Sequence, residues 1–318
     1  MDEKTYVLTQ STFRSSDGES DVACYVFTPV MTVKAVIQIS HGMCEHMMRY
    51  AEFAGFMCGH GYAVCGNDHL GHGLTASDDE ALGFTCEGGG AKHIINDLHT
   101  MNDKAHEMFG GVPLILLGHS MGSFIARLYL SFYPGTVDDA ILSGTAGPDT
   151  PAGAAKILAK LDMIFHGSHH RSKFITKLAF GSYQKRYPAD SPEYFWVTRD
   201  EEKRKAYAAD KFCTFTFTSQ AYYDLFDILS RVSKRSWAEK IRKDMPVLMI
   251  AGDMDPVGSY GKGVTAVYER LRNAGVKDVT LKLYRDAHHE VLNETNRAEV
   301  YDDILSWSDR VIKQKDGE

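Results

Sequence analysis

Residues 112–133, Val-Pro-Leu-Ile-Leu-Leu-Gly-His-Ser-Met-Gly-Ser-Phe-Ile-Ala-Arg-Leu-Tyr-Leu-Ser-Phe-Tyr, decide how this chain folds. The apolar run Leu114–Leu117 is too short for a buried helix and suits a strand covered on both faces. It enters Gly118-His119-Ser120-Met121-Gly122, after which Met121, Phe124, Ile125 and Leu128 recur at helical spacing. Strand, G-x-S-x-G and helix in that order predict a nucleophile elbow, a turn sharp enough to lift a serine hydroxyl clear of the sheet edge. Side chains two residues either side of Ser120 would collide in such a turn, and both positions are glycine. The following helix points its first N–H groups at the serine and favours negative charge there.

Working outward, residues 5–13 and 21–30 read as an antiparallel hairpin around Ser15-Ser16-Asp17-Gly18. Residues 33–40 form a third strand, ending at His41-Gly42-Met43-Cys44-Glu45-His46, with a helix to about Cys58. Tyr62–Asn67 is the next strand, and Ile94, Leu98, Met101, Ala105 and Met108 mark one face of a helix. Beyond the elbow, residues 137–142 make a strand that ends at Ser143-Gly144-Thr145. The pattern changes between about 146 and 235, where the readable elements are mostly helical. Alternation resumes with strands at 246–251 and 279–284 and a closing helix over 294–313. The chain therefore predicts an α/β fold with a mostly parallel sheet, helices on both faces and ligands at the carboxyl ends of the strands. Its core comprises 1–145 and 236–318, with 146–235 inserted as a helical cap.

A net charge of −7 gives no footing for nucleic acid. Six cysteines, at 24, 44, 58, 65, 86 and 213, form no C-x-x-C pair and read as reduced thiols. The start, Met1 to Tyr6, lacks the apolar core of a signal peptide, and no apolar stretch reaches the length of a membrane span. A cytoplasmic protein without a transmembrane segment is the expectation.

A serine hydroxyl is a poor nucleophile unless a base stands within hydrogen-bond reach and a third group orients that base. After an elbow serine, the acid and then the histidine should each follow a strand. The strand at 246–251 is followed by Gly252-Asp253-Met254-Asp255-Pro256-Val257, and that at 279–284 by Arg285-Asp286-Ala287-His288-His289-Glu290. Asp253 or Asp255 is then the acid, and His288 or His289 the base, because neighbours on an extended segment point opposite ways. The oxyanion of an acyl-transfer intermediate needs two N–H donors, expected from Met121, just after the nucleophile, and from Met43, beside Gly42. No metal or organic cofactor is called for.

Five motifs in order resemble monoacylglycerol lipase and the related bacterial lysophospholipases. They are His41-Gly42-Met43-Cys44-Glu45-His46 with Arg49-Tyr50, Asp68-His69-Leu70-Gly71-His72-Gly73, the elbow, Gly252-x-x-Asp255-x-Val257, and Ala287-His288-His289-Glu290. The likeness runs from about residue 25 to 310, dense over the core and thin across the cap. It implies an α/β-hydrolase fold and a serine esterase for esters with one acyl chain and a small polar alcohol. It selects Asp255 as acid and His289 as base with Ser120, and it places Glu45 and Arg49 near the polar end of the ester. One departure stands out: the family commonly has a small residue then glycine where this chain has Met43-Cys44, so if that position needs a positive φ, Cys44 must either be strained or reshape the loop.

The implied partner is a small-molecule or lipid ester, with the cap open to transient contact with a membrane surface. Phe212, Phe215, Phe217, Tyr222 and Phe226 of the cap, with Met43, Met47 and Met48, offer it apolar surface. The rivals are a short-chain carboxylesterase, a thioesterase or a serine aminopeptidase on the same triad, and a binding protein that merely kept the fold. His166, His169 and His170 read as a solvated loop, because no carboxylate or thiolate joins them at ligand spacing. Asp68-His69-Leu70-Gly71-His72-Gly73 reads as a turn in which Asp68 accepts backbone N–H bonds.

Overall fold

The computed structural model describes residues 5–148 and 151–316. Met1–Lys4, part of the stretch read for a signal peptide, lie outside the described residues. The strands are β1 (Tyr6–Arg14), β2 (Asp21–Pro29), β3 (Ala35–Ser40), β4 (Tyr62–Asn67), β5 (Leu114–His119), β6 (Asp139–Ser143), β7 (Val247–Gly252) and β8 (Val279–Tyr284). They form a sheet in the order β1-β2-β4-β3-β5-β6-β7-β8. β2 runs against both neighbours, and every pair from β4 to β8 is parallel. This is the α/β-hydrolase architecture.

The helices are α1 (Ala51–Cys58), α2 (Gly90–Met108), α3 (Met121–Phe132), α4 (Ala152–His166), α5 (Lys173–Phe180), α6 (Glu201–Ala209), α7 (Ser219–Val232), α8 (Ser236–Lys240), α9 (Lys262–Asn273) and α10 (Arg297–Asp316). Both faces of the sheet are covered, and β5 shows why its run is continuously apolar. Leu114 and Leu116 enter the core shared with α2, α3, α8 and α9, while Ile115 and Leu117 enter the core shared with α1 and α10. Each such side chain removed from water contributes about 1.5–3 kcal/mol. Gln38, polar in the middle of β3, is accommodated because it donates to the Leu98 carbonyl at 2.8 Å and accepts from Asn102 at 2.9 Å.

Helix α9 went unread in the sequence. Its apolar stripe is only Val264, Val267 and Leu271, and it opens on Gly261 in the left-handed region, without a side-chain cap. Thr214–Thr218, with its period-two pattern, is not a strand. Phe215 faces a cavity and Phe217 is buried. Between β6 and β7 the chain forms α4 to α8, with α4 packed on α7 and α7 packed on α2 and α3, the helix that follows the elbow.

Candidate active site

The turn from β5 to α3 has the geometry its glycines require. Ser120 has φ 51° and ψ −121°, a conformation few residues other than glycine adopt. A Cβ at Gly118 would stand 2.5 Å from the Gly122 carbonyl oxygen, and one at Gly122 would overlap the Ser40 carbonyl. The two glycines let α3 and β3 close around the serine, and Ser120 opens into a cavity of about 760 Å³.

The turns after β7 and β8 bring Asp255 and His289 together. Nδ1 of His289 lies 3.0 Å from Oδ1 of Asp255, and both side chains are buried. Asp255 also accepts the Val257 N–H at 2.8 Å, which orients its carboxylate. His289 lines the same cavity as Ser120. Burial lowers the pKa of His289, but the charge and hydrogen bond of Asp255, with the charges of Glu290 and Glu45, together outweigh it, so the imidazole is raised above its ordinary value. His288 points elsewhere: its Nδ1 lies 2.6 Å from the Phe195 carbonyl and its ring packs on Tyr187 and Phe195. Asp253 donates its amide to the Tyr284 carbonyl at 3.1 Å, and no hydrogen bond or ion pair among the described residues joins its side chain to either histidine.

Gly42, Met43 and Met121 line the cavity beside Ser120. Among the described residues no protein acceptor takes the N–H of Met43 or Met121, whereas that of Gly42 is taken by the Glu45 carboxylate. Of the two alternatives, strain or a reshaped loop, the strained backbone is the one present, since Cys44 holds φ 51°. The loop keeps its shape through contacts that span the fold. Cys44 Sγ donates to the Phe215 carbonyl at 3.3 Å, and the Tyr207 hydroxyl donates to the Cys44 carbonyl at 3.2 Å.

The implied place of Arg49 at the substrate needs correction. Arg49 does not line the cavity, and both terminal nitrogens of its guanidinium are engaged. It forks onto both oxygens of Glu290 at 2.6 Å each and reaches Glu45 at 2.9 Å. Glu45 lines the cavity but is spent on Arg49, the Tyr50 hydroxyl at 2.8 Å and the Gly42 N–H. Burial would raise Glu290, yet Arg49 pulls its carboxyl below the usual range. Burial raises Glu45 in spite of Arg49. The trio is an ionic tie between the loop after β3 and the loop after β8, and its members position other groups. A buried charge left without its partner is costly, so all three stand or fall together.

Met47 and Met48 do not reach the cavity either; Met47 is buried in the core beneath it. Residues that sequence reading overlooked include His119, whose ring stands 4.8 Å from that of His289 and whose pKa burial and that neighbour push down to about 3. Trp196 is another: its carbonyl accepts the His289 N–H at 3.2 Å, and the next carbonyl, Val197, accepts that of Glu290 at 2.8 Å. No local motif announces such a pairing between two segments some ninety positions apart. Asp68 is the turn residue expected, accepting the N–H groups of Met47 and Leu74 at 2.8 Å each.

Residues 31–296 match the family model described as "Serine aminopeptidase, S33" (Hydrolase_4). The chain belongs to this family. Within it, the chain is 29% identical to a monoacylglycerol lipase of Mycolicibacterium smegmatis, covering 89% of this chain and 90% of the relative. It is 26% identical to a monoglyceride lipase of Homo sapiens, covering 92% and 88%. Among solved structures, a thermostable carboxyl esterase from Bacillus coagulans in complex with glycerol superposes with a TM-score of 0.89 at 30% identity, covering 96% of this chain and 99% of the other.

In a hydrolase of this family whose base is His289, only the neutral imidazole takes a proton. Because Asp255 favours the charged form, the acid limb of kcat/KM is expected to lie above pH ~6.5, the ordinary histidine value. Replacing Asp255 by Asn should move that limb downward in whatever activity remains. A pH–rate profile with a soluble ester measures both, and a limb below the ordinary value would contradict the pairing.

Proposed function

We propose that this protein hydrolyses carboxylic esters that carry one acyl chain and a small polar alcohol, of monoacylglycerol or lysophospholipid type, through an acyl-serine. Ser120 Oγ attacks the ester carbonyl while His289 takes its proton. The oxyanion forms at the amides of Met43 and Met121. His289 returns the proton to the leaving alcohol, then activates the water that frees the acid, and Asp255 holds the imidazole in one tautomer throughout. The observation that carries this reading is the cavity over Ser120. Its walls are chiefly apolar side chains, Leu158, Phe180, Phe215, Tyr222, Leu225 and Phe226, supplied by the segment between β6 and β7. That segment, residues 146–235, is on this reading a cap that shapes an acyl tunnel. The lipase names of the relatives point the same way.

An aminopeptidase must hold a free ammonium group near the scissile bond. Among the described residues three carboxylates line the cavity, Glu45, Glu193 and Glu290, and two of them are held in ion pairs with the one guanidinium of Arg49. The ester reading is therefore preferred to the peptidase on the same triad.

The cap also bears on where the substrate comes from. Ile157, Leu161, Ile164 and Phe165 recur along one side of α4 and stand exposed, joined by Phe174 and Leu178 on α5; Phe165 is 76% exposed. Leu178 is also a cavity residue, so the patch borders the way in. A cluster of this kind suits contact with a lipid surface. No helix among the described residues is long and apolar enough to cross a membrane. The six cysteines are free thiols, in keeping with a cytoplasmic location.

The test compares kcat/KM across monoacylglycerols of graded chain length, alkyl esters and aminoacyl anilides. Each added methylene is worth about 0.8 kcal/mol, so the monoacylglycerol series should rise roughly fourfold per carbon until the tunnel is full. Replacing Ile164 and Phe165 by Ser should depress hydrolysis of emulsified esters and spare soluble ones. Anilides cleaved faster than every ester would replace this reading by the peptidase.

A further inference from the structure

The histidines at the end of α4 do have a carboxylate beside them. Asp162 sits one helical turn before His166, its Oδ1 3.3 Å from Nδ1 of that residue. Helix α4 stops at His166, and Gly167, at φ 90°, turns the chain so that His170 comes back over the last turn. Nδ1 of His170 then lies 2.7 Å from Oδ2 of Asp162, and the two imidazole rings are 4.6 Å apart. One donor atom from each of the three residues falls within 4.8 Å of the others. The spacing Asp-x-x-x-His-x-x-x-His was open to view, but only the first pair shares a helix. The reversal at Gly167 supplies the second histidine.

Two further features mark this as more than a chance meeting of polar side chains. The Ser219 hydroxyl, at the start of α7, donates to Asp162, while the Ser219 amide donates to the His170 carbonyl at 2.7 Å. A carboxylate held from behind by a hydroxyl is the kind of outer support that orients metal ligands. His166 remains 56% exposed, which leaves a path for an ion to enter. The neighbouring His169 is turned away and stacks on Phe84 at 3.8 Å.

We propose that Asp162, His166 and His170 form a binding site for a divalent transition-metal ion of the zinc class. Two imidazole nitrogens and one carboxylate oxygen suit zinc, copper or nickel, and suit calcium or magnesium poorly, because those ions require mostly oxygen ligands. None of the three residues lines the cavity, so the ion has no part in ester hydrolysis. Its effect is mechanical. It pins the last turn of α4 to the returning 167–170 segment and, through Ser219, to α7, stiffening the segment that carries the exposed apolar face. This inference does not depend on the substrate reading above.

Isothermal titration of the full chain, freed of metal by a chelator, with zinc chloride tests it. About one equivalent should bind saturably with a micromolar Kd, and zinc should raise the melting temperature. The His166→Ala/His170→Ala double variant should lose both effects, and Ser219→Ala should bind about 10-fold more weakly. No saturable uptake at sub-millimolar zinc overturns the proposal, as does a double variant that binds like the parent. Should the double variant fail to fold in chelator, imidazole NMR signals of the unaltered protein decide. Zinc that first moves those of His166 and His170 supports the site, and zinc that first moves other histidines overturns it.

Discussion

Ser120→Ala is expected to abolish both labelling by a fluorophosphonate probe and ester turnover, while the protein unfolds at the same temperature as the parent. The hydroxyl stands at the one point where the parallel sheet, the start of α3 and the cavity meet. Alanine keeps the Cβ and the strained backbone, so the elbow survives without its nucleophile. Loss of a triad nucleophile costs on the order of 10⁴–10⁶ in kcat, the residue of activity coming from the oxyanion donors and substrate binding. The measurement is intact-protein mass after probe treatment, beside kcat on a soluble ester. Labelling that persists in the alanine variant would place the nucleophile elsewhere and unseat the acyl-serine mechanism.

The second large effect separates neighbours that local chemistry, apart from the family resemblance, leaves equivalent. Asp255→Asn is expected to lower kcat by about 10⁴-fold, because an amide no longer favours the imidazole tautomer that accepts the serine proton. Asp253→Asn, two residues away and joined to neither histidine by a hydrogen bond or ion pair, should stay within about tenfold of the parent. On the proposed mechanism His289→Ala should be as damaging as the loss of Ser120, since the members of a triad act as a unit. His288→Ala should keep most of its activity and lose about 1–2 kcal/mol of stability with its contact to the Phe195 carbonyl. Activities of the four purified variants, with urea unfolding of each, give the ranking. Equal losses at Asp253 and Asp255, or a folded but inactive His288→Ala, would reverse the assignment.

Much of this molecule is legible in one dimension because its central elements are local. A run of four apolar residues, two glycines around a serine and an amphipathic helix define β5, the elbow and α3 without help from elsewhere. Chain order then places an acid and a histidine after the later strands. The element that went unread is one whose apolar signal is thin: α9, with three core residues and a glycine start. Glu45 and Arg49 were visible as a motif, but their work was not. The partner that claims Arg49 is Glu290, which becomes its neighbour only once β3 and β8 lie in one sheet.

Sequence by itself determined the α/β-hydrolase order of elements, the elbow and the short stretches that contain an acid and a base, since each depends on residues a few positions apart. Local chemistry left each pair open and only the family resemblance chose between its members; the tertiary structure adds the contacts that distinguish them. Asp255 meets His289 at 3.0 Å, whereas His288 is drawn away to Phe195. Tertiary structure alone decided that Cys44 keeps a positive φ, held by Phe215 and Tyr207, and that Asp162 joins His166 and His170. The physical reason is common to all of these. A side chain's direction, and the partner that satisfies a buried charge or hydrogen bond, are properties of the packed surroundings, and those come from parts of the chain far away in sequence.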